Sequence, residues 1–120
     1  MQNEFVFTYP AEYRWIVERG IAGFEPFTQL QPWYFTQEDQ SFWATEQWQS
    51  GGNRKLFVFA RRQDNDDLAC FSVTEDGKID GVLVIQGWVD NGFTVLKEFR
   101  GFWDWFKFVI DDIADWISPD

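Results

Sequence analysis

The sequence contains no histidine. That removes the commonest general base, the usual imidazole metal ligand and every histidine-activated nucleophile. It contains one cysteine, Cys70, so no internal disulfide forms, and this usage fits a reducing compartment. Cys70 lies between Ala69 and Phe71 in an apolar run. A small buried side chain is the expectation there, with a reactive thiol as the alternative. Without clustered Cys or His, a structural zinc site has no ligands. No run of about 18 apolar residues exists, so no membrane-spanning helix is expected. The first residues, MQNEFVFTYP, have neither a basic start nor a long apolar stretch. No signal peptide is therefore expected, and the chain reads as cytoplasmic. A phosphate-binding loop is missing too, because Gly51-Gly52 lacks the flanking strand and the glycine-lysine element. No repeat, low-complexity segment or linker divides the 120 residues, which read as one domain, 1–120.

Positive charge is also scarce. Ten Lys and Arg face twenty Asp and Glu, a net charge of −10. This balance argues against binding a nucleic-acid backbone or an anionic membrane surface. It suits a soluble protein, or one whose partner is basic. Aromatic residues, in contrast, make up 21% of the chain, with 14 Phe and 8 Trp. A core alone rarely needs so many, so some are expected at the surface or along a groove. Exposed aromatics also leave a homodimer contact open.

Tyr9 to Arg19 has helical spacing, with Tyr13, Ile16 and Val17 on one face and Pro10 in the first turn. Gly20 and Gly23 end it. The stretch from Phe24 to Asn53 is broken by Pro26 and Pro32. Gln37 to Gln49 suits a second helix, with Thr36 as cap and Phe42, Trp43 and Trp48 facing inward. Gly51-Gly52-Asn53 marks a break. Four β-rich runs follow at 56–60, 68–73, 81–88 and 93–99. Asp76-Gly77 and Asp90-Asn91-Gly92 are hairpin signals, so the runs form a single antiparallel sheet, a four-strand meander or slightly larger. Phe99 to Ile117 returns to helical spacing, with Phe99, Phe102, Trp103, Phe106, Ile110, Ile113 and Ile117 tracing one stripe. Helices, then a sheet, then a helix, without βαβ alternation, predict an α+β domain.

Two acidic stretches are candidates for function. In FARRQDNDDLACF, residues 59–71, Arg61, Arg62, Asp64, Asp66 and Asp67 sit between two apolar runs. Calcium binding fails on spacing, because Leu68 stands where an oxygen ligand belongs and no glycine follows. A paired-carboxylate hydrolase is conceivable. A charged hairpin turn with cross-strand ion pairs, or a partner surface, accounts for the same residues. In the last helix, Asp104, Asp111 and Asp115 fall opposite the apolar stripe, with Asp112 at the border and Phe108 among them. Acids in the C-terminal half of a helix oppose its macrodipole, and Asp111 and Asp115 are like charges four apart. Stability alone does not explain that face. It reads as a solvated face, or as a binding face with Phe108 as anchor. Reversing Asp111, Asp112 and Asp115 to Lys is expected to weaken partner binding and leave the fold intact. Trp33 and Tyr34 suit core packing, or the lining of a groove between helices and sheet.

The loop FARRQDNDDLACF, the strand GVLVIQGW and the closing FWDWFKFVIDDIADW together resemble the SUKH superfamily. That group includes the yeast cell-wall-assembly regulator family and many bacterial immunity proteins. RGIAGFEPFTQLQPWYF is similar to the family's segment after its first helix, and the likeness runs from Tyr9 to Trp116. It implies an antiparallel sheet packed by helices and a non-enzymatic binding module without a cofactor. Bacterial members of the family neutralise a cognate toxin, often a nuclease, by binding it. A nuclease face is basic because it holds phosphates, so an acidic chain would be drawn to it. By position, only Arg61, Arg62, Asp64, Asn65, Asp66 and Asp67 carry over, as fold signature or contact. Gln86-Gly87-Trp88-Val89 departs from the His-Asp-bearing strand end of close relatives. The resemblance also admits a regulatory adaptor, and the aromatic content a small ligand-binding domain.

Overall fold

The β-rich runs pair in chain order, and a strand that the prolines obscure joins them. The computed structural model describes residues 7–24, 32–48, 55–89 and 92–117, except the side chains of residues 38 and 116. Strands β1 (Trp33–Phe35), β2 (Lys55–Arg62), β3 (Asp67–Val73), β4 (Ile79–Val89) and β5 (Gly92–Phe99) form one antiparallel sheet, ordered β1-β2-β3-β4-β5. Helices α1 (Ala11–Glu18), α2 (Ala44–Gln47) and α3 (Phe102–Trp116) complete an α+β fold.

Local chemistry sets the ends of these elements. α1 starts after Pro10, whose carbonyl accepts from Arg14 N–H at 3.1 Å. It stops in a Schellman arrangement: Ile21 N–H donates to Ile16 O, Gly20 N–H donates to Val17 O, and Gly20 takes φ +64°. The β3–β4 turn closes with Thr74 N–H donating to Lys78 O at 2.8 Å. Gly77 there sits at φ +84°, a conformation glycine adopts without a Cβ penalty. The Asp90-Asn91 turn signal and the Gly51-Gly52-Asn53 break lie outside the described residues.

The two sheet faces are packed differently. One holds a large core in which α1 contributes Tyr13 and Ile16, and α3 contributes Phe102, Trp105 and Val109. A bulge after Val58 turns both Phe59 and Ala60 toward this core. Phe59 stacks on Phe71 with centroids 3.9 Å apart, and Trp105 meets Phe59 edge-on at 4.9 Å. The other face carries Leu56, Val58, Leu68, Cys70, Leu83 and Ile85 under Ala44, Phe42 and Trp48. Burial at Cys70 pushes its thiol well above the ordinary range, so it stays neutral.

Two expectations need correction, and one strand is added. The helix over 37–49 is a 3-10 turn at Glu38–Gln40 and the single turn of α2. Trp43 interrupts it with extended backbone, bridging Phe57 while Val58 N–H donates to Phe42 O. Trp33–Phe35 is a strand, because Pro32 ends one side and β2 offers a free edge that pairs Trp33 with Arg62. The apolar stripe of α3 is rotated. Phe102, Trp105 and Val109 face the sheet, whereas Trp103, Ile110 and Ile117 are 42%, 48% and 70% exposed. The apolar residues of α3 spread over more than one side of the helix, so period alone did not select the buried side. No helix among the described residues is long and apolar enough to cross a membrane.

Candidate functional site at the β2–β3 corner

The two adjacent arginines at the end of β2 point to opposite faces, as strand alternation requires. Arg62 reaches toward α3. Its Nε bonds Asp64 Oδ1 at 2.7 Å and its Nη1 bonds Asp112 Oδ2 at 2.7 Å. Asp112 Oδ2 also accepts from the Trp33 indole N–H at 2.9 Å. Trp33 is 1% exposed, so this indole nitrogen has no access to water in place of Asp112. The result is a brace joining β1, β2, the hairpin loop and α3. Removing Arg62 would leave a half-buried carboxylate without its cation.

The loop beyond Arg62 is shaped by its own side chains. Asn65 Oδ1 accepts from Asp67 N–H at 2.8 Å, an Asx turn. Asp66 O accepts from Gly87 N–H at 3.0 Å, which ties the loop to β4. Asp67 is half-buried, and burial raises its carboxyl above the ordinary value. Arg62 opposes that rise, while Asp64, Asp112 and Asp66 add to it. The Asp64, Asn65 and Asp66 residues are exposed.

Arg61 points to the other face and lies 5.7 Å from the Trp88 ring centroid, within cation–π range. Trp88 adopts φ 57°, and it is the one non-glycine residue with positive φ among the described residues. A bulky side chain in that region costs about 1–3 kcal/mol. The cause is an irregularity in β4: Gln86 pairs Thr94 and Val89 pairs Gly92, so Gly87 and Trp88 together oppose Phe93. Gly87 permits it, since a Cβ there would stand 2.9 Å from Trp48 Cη2 and 3.2 Å from Leu68 Cδ1. Trp88 meets Trp48 edge-on at 5.3 Å, yet it remains 49% exposed.

The corner therefore gathers Asp64, Asp66, Asp67, Arg61 and Trp88, and through Arg62 it reaches Asp112. From sequence, Arg61 was named only within the loop motif and Trp88 only within the Gln86–Val89 strand end, neither as a contact by itself. The signal available was Gly87-Trp88 inside a strand pattern, where glycine marks a bulge. The other expected contacts are dispersed. Asp104, Asp111 and Asp115 are exposed along α3. Phe108 is not an outward anchor: it is half-buried, packing on Phe99 at 5.3 Å and Trp33 at 6.4 Å. Asp112 is engaged internally. Trp33 lies in the core and lines no groove, while Tyr34 is half-buried opposite Arg61. Among the described residues, no group of three or more His, Cys, Asp or Glu is placed to hold a metal ion.

No family model, no curated protein and no solved structure matches this chain.

Proposed function

We propose that this chain is a non-enzymatic protein-binding module that neutralises a basic toxin domain by direct contact, as do the bacterial immunity proteins of the SUKH superfamily that its sequence resembles. The observation that carries the reading is Trp88. Its ring is half-exposed at a backbone angle that costs stability, beside the cationic Arg61, and the preceding Gly87 N–H is bound to the Asp66 carbonyl. One side of the ring packs on Trp48 and Phe42, and the other side is left open to a partner. Tryptophan and arginine are the side chains that most often dominate binding energy when a partner desolvates them. The neighbouring acids and the net charge of −10 favour encounter with a basic surface.

Co-expression with any toxin encoded beside its own gene, followed by capture on immobilised protein, tests the proposal. Wild-type protein is expected to rescue growth and retain a basic protein that high salt weakens. Trp88→Ala is expected to weaken capture about tenfold or more, consistent with a hot-spot side chain. Capture of a neutral housekeeping protein, with no rescue, would replace this reading with a regulatory adaptor.

One observation favours a second reading. Tyr9, Tyr13, Val17, Phe24, Thr36 and Gln37 line a cavity of about 420 Å³, within the size range of small-molecule sites. A ligand there that raises the melting temperature of wild type but not of Thr36→Leu would support it.

A further inference from the structure

Charge at the β2–β3 corner is sorted by sheet face. On the α3 side, Asp64 and Asp112 both bond Arg62, and Asp67 lies in the field of the same guanidinium. Arg61 stands on the opposite side. No carboxylate among the described residues lies within 4 Å of it, although Asp64, Asp66 and Asp67 follow closely in the chain. Asp66 is exposed and makes no ion pair of its own. Arg61 is instead half-buried beside the Trp88 ring, 5.7 Å from its centroid.

Two further donors share this side. Tyr34 in β1 is the direct cross-strand partner of Arg61. Opposite residues of an antiparallel pair project from the same face, with Cβ atoms about 4.5–5.5 Å apart. Tyr34 is half-buried and Trp88 half-exposed. Among the described residues, the Tyr34 hydroxyl, the Arg61 guanidinium and the Trp88 indole N–H make no hydrogen bond. Guanidinium and indole can only donate, and a contact with an aromatic ring uses none of the guanidinium N–H groups. A chain with twice as many acids as bases thus keeps a patch of unused donors on one face.

Such a patch suits an anion. A carboxylate offers two oxygens with about four acceptor sites, and arginine engages it through two parallel N–H bonds. A protein side chain suits it better than a free anion, because the open side of the Trp88 ring also needs an apolar cover. An acid inside an otherwise basic partner surface has a distinct use. Long-range attraction brings two surfaces together, whereas a single opposed pair fixes their register.

We infer that Tyr34, Arg61 and Trp88 form a receptor for one Asp or Glu side chain of the protein partner, with apolar neighbours of that residue lying on the Trp88 ring. This rests on the reading of the chain as a binding module at this corner, and it names the chemistry that the module reads.

The test is an NMR titration of the isotope-labelled full chain with two capped dipeptides, acetyl-Phe-Glu-amide and acetyl-Phe-Gln-amide. The Arg61 Nε–H and Trp88 indole N–H signals are followed. The glutamate peptide is expected to shift both saturably and to bind at least about fivefold more tightly than the glutamine peptide. Arg61→Gln is expected to abolish that preference, and Tyr34→Phe to reduce it about twofold. Arg61→Lys keeps the charge and loses the paired N–H geometry, so it is expected to fall between wild type and Arg61→Gln. It tests the contact even where glutamine disturbs the strand. Equal affinity for the two peptides, or a preference that survives Arg61→Gln, would overturn the inference. So would acetate shifting both signals as strongly as the glutamate peptide, since a free anion would then be the occupant. Toxin capture separates this inference from the reading beneath it. Capture lost in Trp88→Ala and unchanged in Arg61→Gln would sink the carboxylate receptor and leave the binding module standing. Capture that fails in wild type would sink the module.

Discussion

Two acidic regions of this protein look alike in sequence and behave differently in the fold. At the β2–β3 corner, Asp64 and Asp112 converge on one guanidinium, and Asn65 fixes the loop. Along the outer side of α3, Asp104, Asp111 and Asp115 have no ion pair within 4 Å to a described residue. The first set holds the structure together. Of the second, Asp111 and Asp115 oppose the helix dipole, whereas Asp104 lies in the first turn and suits it; together the three make the surface negative. Charge density in a sequence therefore does not separate bracing acids from available ones; the nearest cation in space does.

The largest effect that sharpens this comparison is loss of the brace. Arg62→Ala is expected to lower stability by about 2 kcal/mol, measured by urea unfolding, because it strands a half-buried Asp112. A loss within error of zero would reduce the brace to a surface ion pair. Next is the outer side of α3. Asp115→Lys is expected to stabilise by about 0.3–1 kcal/mol, through the helix dipole and an opposite-charge pair with Asp111 four residues earlier. Adding Asp112→Lys should reverse that gain, since it places an ammonium against Arg62 and removes the acceptor for Trp33. From sequence all three reversals were expected to leave the fold intact; the bonds of Asp112 to Arg62 and Trp33 are the reason to expect a cost at that position.

The smallest effect lies in pH. The folded-state carboxyl of Asp67 is raised by burial, so the folded chain holds that proton more tightly than the unfolded chain does. Its contribution is favourable below the unfolded value and lost as pH rises through the folded one. Asp67→Asn is thus expected to be more stable than wild type at neutral pH, with the difference shrinking in acid. A difference that stays constant across the acid range would show that Asp67 does not titrate as described. Asp76 runs the other way. Its bond from the Thr74 hydroxyl lowers its carboxyl, so its contribution is present at neutral pH and lost as pH falls.

Much of the fold was readable along the chain. The strand runs 56–60, 68–73, 81–88 and 93–99 appear as β2 to β5, each within a residue or two, because alternating apolar residues and turn chemistry are local signals. α1 was readable for the same reason. β1 was not, since three residues after a proline carry no period and exist as a strand only through pairing with β2. The Gln37–Gln49 helix failed because Phe42 and Trp43 gain more from the sheet than from helical neighbours. Of the candidate site, the acids of the loop were legible. Trp88 was not, because its exposure depends on a bulge that Trp48 and Leu68 enforce from elsewhere in the chain.

By itself, the sequence determined the composition of the core, the order of the strands, the excess of negative charge and the absence of imidazole chemistry. These follow from residue identity and near-neighbour spacing. The tertiary structure decided which side of α3 is buried, which arginine braces and which faces Trp88, and that Asp112 serves the interior. Each of those depends on groups far apart in the chain meeting in one place, where burial and distance set the strength of every contact.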